Sequence, residues 1–153
     1  MPRAQAAVDI FRLSITQETR VRASLEATFE ALLQQIGPEN ETPDGTPLPM
    51  VLEPRPGGRW FRDLGNDDGH FWGHVQAIKR PTLLEVVGPL FMSYPVVSNV
   101  QYRLAQVEGG TVISFRHTAL GFVPDDIRDG LSRGWIPLLE RGRRQAEGAH
   151  TRH

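Results

Sequence analysis

The chain has 153 residues, 17 basic and 18 acidic, for a formal net charge of −1. That balance excludes the basic footprint of a nucleic-acid binder; the Arg141, Arg143 and Arg144 cluster is local and suits the negative end of a helix dipole. With no cysteine there is no disulfide and no thiolate metal site, which fits a reducing cytosol. No apolar run approaches the roughly 18 residues of a membrane helix, and "MPRAQAAVDI" lacks the apolar core of a secretion signal. The expectation is one soluble cytoplasmic domain over residues 1–153, with its core at about 8–147.

Residues 8–22, "VDIFRLSITQETRVR", are rich in β-branched residues and partly alternate, which predicts a strand. In "SLEATFEALLQQIG", Ser24 can cap a helix, while Leu25, Phe29, Leu32 and Leu33 fall at helical spacing and Gly37-Pro38 stops the run. "PENETPDGTPLP" then reads as loop. Six short segments follow, separated by turn signals: "MVLE", "RWFRDL", "HFWGHVQAIK", "TLLEVV", "VVSNVQYRLAQV" and "TVISFRHTAL". Their hairpin-length links make antiparallel pairing the natural result. From Pro124 to about Glu147 the pattern is helical, with Ile127, Leu131, Trp135 and Leu138 or Leu139 as an apolar stripe and Pro137 as an expected kink. A curved sheet of seven strands needs a cover for its apolar face, and this C-terminal helix is the long element left to supply it.

"GHFWGHVQ" spaces His70 and His74 four apart, which on a helix could bridge a zinc ion. Between two hairpin turns the segment reads instead as strand, and the two histidines then stand about 13 Å apart. Bonds near 2.1 Å cannot span that gap, so no metal is expected. Strict alternation turns Phe71, Gly73, Val75 and Ala77 to the core and His70, Trp72, His74 and Gln76 outward. Asp63, Asp67 and Asp68 surround "GNDDG", which has turn rather than metal-loop chemistry.

Five segments in order, "EPRPGGRWFRDL", "GHV", "RPTLLEV", "GGTVISFRHTALGF" and "GW" at 134–135, resemble the START-like helix-grip (SRPBCC) superfamily. They are most similar to its branch named after the activator of the heat-shock protein 90 ATPase. The resemblance runs from about Ile15 to Glu147. It implies an α+β helix-grip fold, in which a curved antiparallel sheet of about seven strands wraps a long C-terminal helix with a cavity between them. It also implies binding of apolar small molecules, action as a chaperone partner, or cyclase-like catalysis. The chain departs from its relatives after the first helix, where "GPENETPDGTPLPM" has no tryptophan, and in a longer, more apolar "GPLFMSYP" loop.

The cavity candidates are Trp60, Arg62, Val75, Tyr102, Phe115, His117, Leu131 and Trp135. By its parity with Trp60, Arg62 points either into the cavity, where it needs a carboxylate such as Glu53 or Glu85 or an anionic ligand, or onto the outer face. His117 shares parity with Ile113 and Phe115, so it turns inward, to contact a ligand or to make a structural hydrogen bond. Tyr102 and Trp135 are wall or plain core. Leu90, Phe91, Met92 and Tyr94 form an apolar loop that is a lid, a partner contact or a weak dimer contact. No nucleophile elbow, phosphate loop or H-E-x-x-H motif is present, no cofactor is expected, and catalysis would rest on His117, Arg62 and tyrosines. The reading that results is a pocket for a hydrophobic or amphipathic small molecule, with a co-chaperone-like interaction module and a polyketide cyclase-like enzyme as alternatives.

Overall fold

The structure is a computed structural model that describes residues 10–124, 143–144 and 146–148. In chain order the elements are β1 (Phe11–Val21), α1 (Leu25–Ile36), β2 (Val51–Leu52), β3 (Arg59–Gly65), β4 (Asp68–Lys79), β5 (Leu83–Gly88), β6 (Val96–Val107) and β7 (Gly110–Gly121). Every segment expected as strand forms one. α1 starts where the sequence says it should: Ser24 is extended and its hydroxyl accepts from the Ala27 N–H at 3.1 Å, satisfying one of the free donors of the first turn. Gly37 ends the helix, its N–H donating to the Gln34 carbonyl.

The seven strands form one antiparallel sheet in the order β1-β7-β6-β5-β4-β3-β2. The β3–β4 link is a two-residue turn in which Asn66 and Asp67 both take positive φ, 55° and 63°, as a type I′ hairpin requires. Of the "GNDDG" acidic residues, Asp67 is therefore a turn residue and Asp68 opens β4, paired with Gly65. Between β6 and β7, Glu108-Gly109 is also a two-residue link, here with positive φ at Gly109, 84°, and not at Glu108.

Alternation on β1, β5, β6 and β7 places one set of side chains on a concave face. Cross-strand rows run through it, such as Val86, Val100, His117 and Ile15, or Leu84, Tyr102, Phe115 and Gln17. Phe29, Leu32, Leu33 and Ile36 of α1 join Trp60, Val75, Leu84, Val86, Val100 and Tyr102 in the main core. Burial of each such side chain is worth roughly 1.5–3 kcal/mol. A smaller cluster of Phe11, Met92, Val96 and Ala119 closes one end of the sheet.

β4 corrects the alternation read from the sequence. Trp60 pairs with Gly73 and Phe61 with Phe71, so Trp72 is an extra residue in β4. Val75 pairs with Val86 and Ala77 with Glu85, so Gln76 is a second one. Each bulge shifts the phase by one and bends the strand. Trp72, expected outside, is buried; Phe71, expected in the core, is 42% exposed; and Ile78 rather than Ala77 packs against the core. His74 stays outside and His70 is half-buried.

The apolar loop after β5 also departs from a bare patch. Leu90 is fully buried with φ 60°, its N–H donating to the Trp72 carbonyl, and Met92 is buried in the smaller cluster. Phe91 and Tyr94 remain exposed.

Of the expected C-terminal helix, residues 143–144 and 146–148 are described and helical. Ala146 is fully buried in the main core, and the carboxylate of Glu147 accepts from the Arg22 N–H at 2.8 Å. Leu131, Trp135 and the rest of residues 125–142 lie outside the described residues.

Candidate functional site

The concave face is an apolar wall with few polar groups. Val75, Tyr102 and Phe115 are each almost fully buried, on β4, β6 and β7, with the rings of Tyr102 and Phe115 5.3 Å apart. Burial raises the Tyr102 phenol above its usual range, so it stays protonated. His117 follows Phe115 on the same face, between Val100 on β6 and Ile15 on β1. Its Nε2 lies 3.0 Å from the hydroxyl of Ser98, itself fully buried. Desolvation lowers the His117 pKa to about 4, which leaves the imidazole neutral near pH 7. A neutral imidazole beside a hydroxyl can accept or donate one hydrogen bond according to its tautomer.

Trp60 is buried in the same wall, but its indole N–H is committed. It donates to the carbonyl of Ile36 at 2.8 Å, filling a free acceptor at the end of α1. Its ring meets that of Trp72 edge-on, with centroids 5.0 Å apart. The Trp72 N–H donates to Nδ1 of His70. His70 thus has an indole partner, and among the described residues no group of three His, Cys, Asp or Glu is placed to hold a metal.

Arg62 pairs with His70 across the β3–β4 hairpin, and its guanidinium donates to the Pro49 carbonyl at 2.8 Å. Neither anticipated carboxylate meets it. Glu53 takes two hydrogen bonds from the Arg59 guanidinium, which hold its pKa down to about 2, and Glu85 accepts from Gln76 and Gln101 on the convex face. With Phe61, Asp63 and Phe71, Arg62 and His70 line an open surface cleft of about 560 Å³. The structure therefore brings Val75, Tyr102, Phe115 and His117 together and sets Arg62 at the hairpin.

Two residues of the concave face did not stand out in the sequence. Ser98, the partner of His117, shares parity with Val96, Val100 and Tyr102. Thr19, on β1 opposite Ile113, is buried and its hydroxyl has no hydrogen-bond partner. Parity within each strand was the available signal for both. It was masked because Ser and Thr are ordinary strand residues. No helix among the described residues is long and apolar enough to cross a membrane.

No protein-family model matches the chain, and no curated protein does. Solved structures do. An uncharacterised protein from Rhizobium leguminosarum matches at 18% identity and a TM-score of 0.67, covering 97% of this chain and 100% of that one. Ara h 8.0201 matches at 14% identity and 0.60, covering 94% of this chain and 100% of its own. The di-domain ARO/CYC protein StfQ, from the steffimycin biosynthetic pathway, matches at 13% identity and 0.61 over 90% of this chain and 51% of its own. At such identities the likeness speaks for architecture alone. What these likenesses show is the fold, an α+β domain of the helix-grip type built on a seven-stranded antiparallel sheet.

Proposed function

We propose that the protein is a single-domain cytoplasmic binder of a hydrophobic or amphipathic small molecule, held between the concave face and the C-terminal helix. The observation that carries this is the His117–Ser98 pair set among Val100, Ile15 and Phe115. A largely apolar wall with a few fixed polar groups is how small-molecule sites are built. The shared fold with an ARO/CYC protein of a biosynthetic pathway agrees with small-molecule handling. A cyclase-like reaction at the same face is the less favoured form of this reading, because a histidine with a pKa of about 4 is a weak base near neutral pH.

A second reading, an interaction module that takes a chaperone partner, draws on the convex face. Val97 and Leu120 are paired there and are 63% and 54% exposed. Native mass spectrometry of freshly purified protein separates the two. A co-purified small molecule, released on denaturation, supports the binder; ligand-free protein that also takes up no apolar dye supports the interaction module.

A further inference from the structure

Thr19 is the one buried side-chain oxygen or nitrogen among the described residues that lacks a hydrogen-bond partner. It is 6% exposed and shares the concave-face parity of Ile15, Gln17 and Val21 on β1. A hydroxyl withdrawn from water without a partner destabilises the protein that carries it. Valine has the same shape, favours strands as strongly and would remove that burden. An unsatisfied group of this kind calls for a reason, and a ligand that completes it is one.

The surroundings define what such a ligand presents. Among the described residues, no Asp, Glu, Lys or Arg shares the concave-face register of β1, β5, β6 or β7. The polar groups there are Gln17, Thr19, Ser98, Tyr102, Gln106, Thr111 and His117; the Thr111 hydroxyl is committed to the Ala23 carbonyl, and burial keeps both Tyr102 and His117 uncharged near neutral pH. An ionised ligand group brought against these strands would lose its hydration with no opposite charge from their described residues to meet it.

Building on the small-molecule reading above, we propose that Thr19 reads a neutral hydrogen-bonding group, a carbonyl or hydroxyl, on an uncharged amphipathic ligand. Thr19 lies opposite Ile113 and two residues along β1 from Gln17, which ends the row of Phe115 and Tyr102. Those rings supply the apolar wall, and the hydroxyl of Thr19 fixes the ligand's polar end.

The test uses two fluorescent probes on the full chain. Prodan is a neutral naphthyl ketone whose emission shifts to the blue when its carbonyl loses a hydrogen bond; anilinonaphthalene sulfonate is a comparable aromatic with a fixed negative charge. Wild type should bind prodan at least about tenfold tighter than the sulfonate. Thr19→Val should bind prodan about three- to tenfold more weakly, the range for one lost hydrogen bond, with blue-shifted emission. Its melting temperature should be no lower than that of wild type. Thr19→Ser should bind as wild type does.

Equal prodan affinity and emission in wild type and Thr19→Val would overturn the role of Thr19. So would equal losses in Thr19→Val and Thr19→Ser with lowered melting, which would mark a packing role. Tighter binding of the sulfonate would overturn the neutral-ligand assignment. If wild type binds neither probe, the small-molecule reading itself fails, and this inference falls with it.

Discussion

The His117 imidazole and the Ser98 hydroxyl face each other at 3.0 Å across β6 and β7, both with no exposed surface. The pair joins strands through side chains in a largely apolar face, so the protonation state of His117 matters to folding as well as to any ligand.

That state gives a pH prediction. The folded pKa, about 4, lies below the ordinary imidazole value of 6.5, so the unfolded chain takes up the proton first as pH falls. The stabilisation is complete above 6.5 and is lost progressively as pH drops toward 4. Urea unfolding should show wild type losing about 2 kcal/mol from this group between about pH 8 and about pH 5. His117→Gln, which has no imidazole to titrate, should lack most of that slope. Glu53 cannot mimic the effect, because its pKa is lowered from 4.5 to about 2 and its own loss starts at more acid pH. Equal slopes in the two proteins would refute the prediction.

Trp60→Phe keeps an aromatic ring against Trp72 but removes the donor to the Ile36 carbonyl. A buried acceptor left unpaired costs about 1–3 kcal/mol, with a smaller packing loss added. Denaturant melts should place the variant roughly 2–4 kcal/mol below wild type. A change under about 0.5 kcal/mol, the size of an ordinary surface substitution, would show that water replaces the indole at the end of α1.

Gly88 lies where β5 crosses the bulged part of β4. A Cβ there would overlap the Trp72 carbonyl oxygen and stand 2.5 Å from the Gly73 Cα, both of them backbone atoms that cannot rotate away. Gly88→Ala should lower stability by more than about 3 kcal/mol, beyond the usual run of single substitutions, or leave the protein insoluble. Gly109→Ala meets no atom within 4 Å but sits at φ 84°, so it should show a milder, purely backbone cost of roughly 1–2 kcal/mol. Thermal melts that rank the two in the reverse order would contradict the bulge geometry.

The loop after β5 separates into two kinds of residue. Met92→Ser empties a site packed by Phe11, Val96 and Ala119 and should cost about 2–4 kcal/mol. Phe91 is 43% exposed with its ring centroid 6.0 Å from that of Trp72, so Phe91→Ser should cost about 1 kcal/mol or less. Sedimentation velocity on a Phe91→Ser, Tyr94→Ser pair reports whether the two outward rings hold a weak dimer. A lower association state in the pair, with melting unchanged, is the outcome expected of a contact surface.

Much of the architecture was legible in the chain because it depends on local chemistry. Ser24 and Gly37 bound α1 through hydrogen bonds within a few residues, and Asn66-Asp67 fits a turn that needs positive φ at both positions. The inward parity of Val75, Phe115 and His117 followed from simple alternation. What only tertiary structure decided was the phase of β4, since a bulge is a property of two strands and their register. Alternation read along one strand sent Trp72 outward and Phe71 inward. The pairing of Trp60 with Gly73 and Phe61 with Phe71 reversed both. The burial of Leu90 and Met92 was likewise set by the sheet end they close, which their apolar character shows in the sequence but their loop position hides. The missing hydrogen bond of Thr19 is of the same kind: a partner's absence is visible only once every neighbour has its place.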